Sequence, residues 1–476
     1  MDSLNLRGRH TRLSSIVLAR KYKGSCMFKL IIAALLIFGL NAFSQDDTVT
    51  IVAVGEAEQE KDTLVFSKLK EDAKYKGEEA NTIKELENLL IEDFKFYRHL
   101  FEIKEERPSY TDSPKFEEDS LETRYLVTMR TYEKENALWG EFKIYDILNK
   151  RLAGSVNEKI WIKNIRKFGH TVANRLYKSI TGEESIFNTK IVFISDRTSR
   201  GKDVRKEIYI MDFDGEKKQR ITFKNSLILS PAISPDNTQL LFTSIESRWQ
   251  KSKDGRPRKV QNLNLYLYDL KTRKQKVVSS VKGINSGAIF SADGEDIYLT
   301  LSNLKNADIY KMNLKTRKKQ RVTKHFLDDV DPHINKDGSL MTFLSGRSGK
   351  AMIYTMDPSQ VEKDVKRISY VGRFNASPRF SPDGKEIVFS SWVDNRFDIY
   401  KIDSSGNNLV RLTKDFGSNE EPWFSPDGQF IVFTSQRVIN SKKAEQDIYI
   451  MNRDGEIIKK LTNNYGKTFT PRWSNF

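Results

Sequence analysis

One motif returns six times between residues 190 and 476. Each copy holds an apolar strand, a polar loop, a second strand ending in Ile-Tyr-x-Met-Asp or a close variant, a turn, and a short Arg/Lys-x-Leu/Ile/Val-Thr-like strand. The second-strand tyrosines are Tyr209, Tyr266, Tyr310, Tyr354, Tyr400 and Tyr449, spaced 57, 44, 44, 46 and 49 residues apart. A period in the forties with four short strands per unit is the signature of a β-propeller blade. The pattern predicts an all-β propeller of six blades. Propellers mostly serve as recognition platforms, so the repeat points to binding before any motif is read.

The turns set the phase of the repeat. Ser381-Pro382-Asp383-Gly384 and Ser425-Pro426-Asp427-Gly428 are type I turn sequences, with weaker copies at Ser234, Ser291 and Asn335. Proline presets φ at the second turn position and glycine takes the last. An apolar strand follows each turn, as in Ile387-Val388-Phe389 and Ile431-Val432-Phe433. The first copy has its strand, Ile191-Val192-Phe193-Ile194, but no turn before it. The chain ends in Thr470-Pro471-Arg472-Trp473-Ser474, which matches the inner-strand segments Ser377-Pro378-Arg379-Phe380-Ser381 and Glu421-Pro422-Trp423-Phe424-Ser425. The C-terminal segment is therefore expected to supply the inner strand of blade one and close the ring.

The N-terminus has another character. An eleven-residue apolar run, Leu30 to Leu40, follows Lys29 and precedes Ala42-Phe43-Ser44. This reads as a secretory signal peptide over 1–44, too short for a membrane anchor, with Met1 or Met27 as its start. The single cysteine, Cys26, precedes the apolar run, so the mature chain has no thiol and its stability rests on packing. Cleavage would lower the net charge from +16 to +10.

Residues 45–185 read as an α/β domain of two helices on a small mixed sheet, ahead of a propeller over 188–476. Residues 48–55 are β-rich. Ile83, Leu86, Leu90 and Phe94 recur at helical spacing, with Thr82 as candidate N-cap. Ile162, Ile165, Val172, Leu176 and Ile180 form a second stripe that stops at Gly182.

Strand phase also sorts the loops. The Ser-Pro-Asp-Gly turns and the turns near Asp214 and Asp454 fall on one rim and are short. Loops between strands two and three, and between blades, fall on the opposite rim and are longer, which makes it the expected binding face. Its candidate residues are Arg197, Arg248, Arg347, Arg396, Arg437, Asp329, Asp331 and Glu420. A basic insertion lies near residues 248–260. No catalytic, cofactor or metal site is expected. Asp212-Phe213-Asp214-Gly215 lacks the later ligands of a calcium loop, His325 and His333 stand alone, and no Gly-x-Ser-x-Gly elbow occurs.

The junction Tyr177-Lys178-Ser179-Ile180-Thr181-Gly182-Glu183, followed by Phe187-Asn188-Thr189-Lys190-Ile191, resembles that of the TolB family. Phe142-Lys143-Ile144-Tyr145-Asp146 and the terminal Pro-x-Trp-Ser extend the likeness over the mature chain. The resemblance implies a periplasmic, non-catalytic, monomeric scaffold of the Tol–Pal system with no cofactor. Its propeller would bind Pal, a peptidoglycan-associated lipoprotein. Its extreme N-terminus, here Gln45, Asp46, Asp47 and Thr48, would engage a TolA-like protein. It would serve outer-membrane integrity and constriction at division, meeting the membrane only indirectly and binding no nucleic acid. Two alternatives stay open: a propeller that binds envelope polymer, and a propeller hydrolase or lyase.

Overall fold

The computed structural model describes residues 60–72, 78–112, 114, 123–251, 254–302, 306–440 and 443–476. The signal peptide, the β-rich segment 48–55 and Gln45, Asp46, Asp47 and Thr48 lie outside them.

The N-terminal region is a mixed sheet under two helices. Its strands are β1 (Asp62–Phe66), β2 (Lys70–Glu71), β3 (Phe101–Ile103), β4 (Tyr125–Lys134), β5 (Ala137–Asp146) and β6 (Arg151–Lys159). The sheet order is β3-β1-β4-β5-β6, with β2 on β4. β1 runs parallel to β3 and β4, and β4, β5 and β6 form an antiparallel meander. Helix α1 (Glu78–Phe96) provides the crossover that parallel neighbours require. Ile83, Leu86, Leu90 and Phe94 are buried along its inner stripe. Because α1 already runs from Glu78, Thr82 sits inside the helix and is not its cap. Helix α2 (Ile165–Thr181) packs on α1, β5 and β6. Gly182 at φ 79° ends it, its N–H donating to Lys178 O at 2.8 Å. β1 and β3 were not foreseen; each is too short to show a period of its own.

Six four-stranded antiparallel sheets follow, one per blade. Five take their strands in chain order. In blade one Thr468–Trp473 pairs with Lys190–Ser195, so the chain end forms the inner strand. Trp473 is buried there and its Nε1 donates to Thr189 Oγ1 at 2.8 Å.

The repeated residues are blade chemistry. In five blades the repeat tyrosine lies directly opposite a phenylalanine of the preceding strand, with ring centroids 5.4 to 6.0 Å apart. Such cross-strand aromatic pairs stabilise a sheet beyond their buried area. The Arg/Lys-x-Thr element has an equally local role. Thr222, Thr323, Thr413 and Thr462 each accept the N–H of an isoleucine on strand three at 2.9 Å. The basic residue two positions earlier neutralises a buried acid beside that isoleucine: Arg220 with Glu207 at 3.0 Å, Arg321 with Asp308 at 2.6 Å, Lys460 with Asp447 at 2.8 Å, and Arg411 with Asp398.

The N-terminal region sits on the rim of the Ser-Pro-Asp-Gly turns. Tyr97 Oη donates to Asp427 Oδ2 at 2.6 Å and accepts Ile186 N–H at 2.9 Å. Arg166 pairs with Asp214 at 2.5 Å and Arg98 with Glu456 at 2.7 Å. Phe94, Tyr97, Phe187, Phe213 and Phe430 belong to one continuous apolar core.

Candidate functional site

With one rim occupied, the opposite rim is the free end of the propeller, and between the two rims the inner strands share one backbone feature. Each carries one residue in the left-handed region: Ser230, Gly287, Asp331, Ser377, Glu421 and Thr470, at φ between 45° and 60°. Five of the six precede a proline. Proline has no N–H to give the ladder and keeps its predecessor out of the right-handed region. The ladder slips at this point in every blade. The result is a bulge at an equivalent level of all six inner strands, which re-aims the flanking side chains.

Residues two beyond the bulge gather into a cluster. Trp423 of blade six stands between the guanidinium of Arg379, 5.4 Å from its ring, and that of Arg472, 4.8 Å away. His333 packs edge-on to Trp423 at 5.0 Å, and its Nδ1 accepts Phe380 N–H at 3.1 Å. Asp331 pairs with Arg379 at 2.7 Å. Glu421 accepts Thr470 N–H. Burial, then the charges of Arg379 and Arg472, hold His333 well below the ordinary histidine range, so it is neutral. Burial and the neighbouring Arg379 lower Arg472 to about 10. Burial, then the charge of Glu421, raises Glu420 to about 7.

The candidate rim residues divide. Arg347 reaches Asp329 and Glu362, both at 2.8 Å. Asp329 is fully buried, and burial outweighs that pairing to raise its pKa. Asp329 is therefore an internal partner of Arg347 and not a docking charge, a correction to the expectation. Asp331 likewise serves Arg379. Glu420 lies at the mouth as a largely buried acid. Arg396 joins Asp415 at 2.9 Å, Arg197 covers the Tyr465 ring at 3.9 Å and Arg437 covers Phe416 at 4.7 Å. Arg248 lies in an extended hairpin, strand Gln239–Lys251 against strand Pro257–Asp269.

The apolar side of the rim was missed by the charge-led reading. Val204, Phe223, Trp249, Phe326, Tyr370, Val438 and Ile439 are exposed on loops and hairpins of this rim. Phe223 and Tyr370 are shielded on one face by Arg220 and Arg367, at 4.4 and 4.3 Å. Phe223 and Tyr370 immediately follow Thr222 and Ser369, the equivalent residues after the fourth strands of blades one and four, so the repeat itself could have found them; Phe326 lies three residues beyond the equivalent Thr323 of blade three. Large apolar groups exposed together and rimmed by charge are a composition common to interaction surfaces. Among the described residues no group of three or more His, Cys, Asp or Glu could hold a metal ion.

Comparison with known proteins agrees. The TolB beta propeller domain family matches residues 177–437 and 366–475. A TolB homolog of Chlorobium luteolum is 31% identical over 71% of this chain and 70% of its own. The Tol-Pal system protein TolB of Francisella tularensis is 26% identical over 57% of this chain and 60% of its own. The crystal structure of TolB from Acinetobacter baumannii superposes with a TM-score of 0.72 at 24% identity, covering 89% of this chain and 98% of that one. Helix-capped sheet, six blades, ring closure and sequence lead to one conclusion: the chain belongs to the TolB family.

Proposed function

We propose that the protein is a periplasmic, non-catalytic scaffold of a Tol-Pal-like complex. Its free rim binds a peptidoglycan-associated lipoprotein, and its N-terminal segment near Gln45 engages an inner-membrane TolA-like protein. Linking the two would hold the outer membrane to the cell body and draw it in at division. The observation that carries the reading is the exposed apolar set opposite the N-terminal region. Phe326, 78% exposed, and Tyr370, 64% exposed, offer anchors, while the ion pairs around them give a rim that excludes water. Family membership supplies the partner class.

The test is capture of the lipoprotein encoded in the same genome by purified protein. Phe326→Asp with Tyr370→Asp should weaken capture at least tenfold without lowering the melting temperature. Deleting residues 45–50 should leave lipoprotein capture intact and abolish capture of the TolA-like domain. Undiminished capture by the double rim variant would refute this assignment of the face.

A further inference from the structure

The second blade carries an arm that blade architecture does not require. In blade three the hairpin of strands two and three stops at Ser302↔Ala307. The equivalent pair in blade two is Ile245↔Leu263, and pairing continues for six further positions to Lys251↔Pro257. At about 3.3 Å per residue the ribbon stands roughly 20 Å beyond the neighbouring hairpin. Its base is anchored, since Glu246 accepts from Asn264 at 2.8 Å, pairs with Lys224 at 3.2 Å and bonds Tyr266. Above that base Ser247, Trp249, Lys251, Arg256, Arg258, Lys259 and Gln261 are all exposed.

The chemistry of the arm is one-sided in charge and two-sided in space. Residues 247–261 include six basic residues and one acidic residue. Trp249 lies opposite Lys259 in the register, with Lys251 two residues on, so an indole and two ammonium groups share one face. Arg258, opposite Gln250, belongs to the other face. Trp249 is 70% exposed. A two-stranded ribbon alone in water is marginal, so an arm of this length points to something that receives it.

We propose that this ribbon docks on an anionic lipid surface. A tip immersed in a headgroup layer meets anionic groups on every side, which suits cationic residues on both faces. A protein surface would cover one face and leave Arg258 or the Trp249 face without a partner. Indole rings settle at the headgroup level, and lysine and arginine stems lie along the apolar boundary while their charges reach phosphates. The contact would be direct, in addition to any held through the lipoprotein.

Vesicle co-sedimentation of protein purified from cells expressing the full chain tests this. Vesicles of phosphatidylglycerol and phosphatidylethanolamine should bind it, and phosphatidylcholine vesicles should not. The triple variant Lys251→Glu, Arg258→Glu, Lys259→Glu should lose at least five-fold in affinity for each charge removed. Trp249→Ala should weaken binding further, and high salt should release the wild type. All variants should keep the wild-type melting temperature, because the substituted residues are exposed. Absence of binding to the anionic vesicles, or equal binding by the triple variant, overturns the proposal. So does a triple variant that loses lipoprotein capture while the wild type ignores vesicles, which makes the arm a protein contact. The vesicles contain no protein, so the result is independent of the lipoprotein reading.

Discussion

At the scale of the residue, the mouth of the propeller holds a titration that stability measurements can see. Burial, then the charge of Glu421, raises Glu420 from 4.5 to about 7. A carboxyl with a raised folded-state pKa binds its proton more tightly in the folded chain than in the unfolded one. The stability from that proton is complete below pH ~4.5 and is lost as pH rises to about 7. Glu420→Gln keeps a neutral side chain at every pH. It should therefore match the wild type near pH 4 and exceed it by about 1–3 kcal/mol at pH 8, a range reduced for remaining solvent contact. Urea midpoints at both pH values check this, and an equal difference at both would refute the assignment. The same scale shows where sequence reading stopped. Arg347 and Asp329 lie 18 residues apart and looked like two independent rim charges, yet they form one ion pair. Charge is visible in a sequence; which charges meet depends on strand register. The exposed Phe326 and Tyr370 escaped for the opposite reason, because apolar residues after a strand read as core.

At the scale of the element, the terminal strand carries the strongest consequence. The match between Thr470-Pro471-Arg472-Trp473 and the other inner strands was legible because the proline and the residues around it repeat together. The closure it implied is present, with Arg472 against Val192 and Trp473 against Ile191. Removing residues 470–476 strips Ile191 and Val192 of their inner neighbours, leaving both uncovered, and deletes Trp473 from the core. Trp473→Ala alone should cost about 3–5 kcal/mol, since it leaves a cavity and removes one of the two hydrogen bonds of the Thr189 hydroxyl. The truncation should cost more and lower the melting temperature by at least ten degrees. An unchanged thermal transition in the truncated chain would exclude closure by this strand. The bulges themselves were not foreseen. A left-handed residue before proline is a compromise between ladder and ring, and only the pairing register reveals it.

At the scale of the whole molecule, the N-terminal region and the propeller share a core and should unfold together. Tyr97 is the hinge of that sharing. Its ring lies 4.5 Å from Tyr177, 5.5 Å from Phe187 and 5.0 Å from Phe430, and its hydroxyl joins Asp427 of blade six to the chain leading into blade one. The sequence placed a helix there through the spacing of Ile83, Leu86, Leu90 and Phe94, but the residue just past that stripe gave no sign of its distant acid. Tyr97→Phe keeps the ring and removes only the hydroxyl. It strands Oδ2 of Asp427, whose pKa burial already raises, and the Ile186 N–H. Loss of a buried partner of this kind costs about 1–3 kcal/mol. Because both bodies lean on the contact, calorimetry should show one transition in the wild type and one, shifted down, in the variant. Two resolved transitions in the wild type would show that the shared core does not couple them. A single shifted transition would mean that a pull on the N-terminal region is felt in blade six, whose inner strand ends in the Ser425-Pro426-Asp427-Gly428 turn that Tyr97 holds.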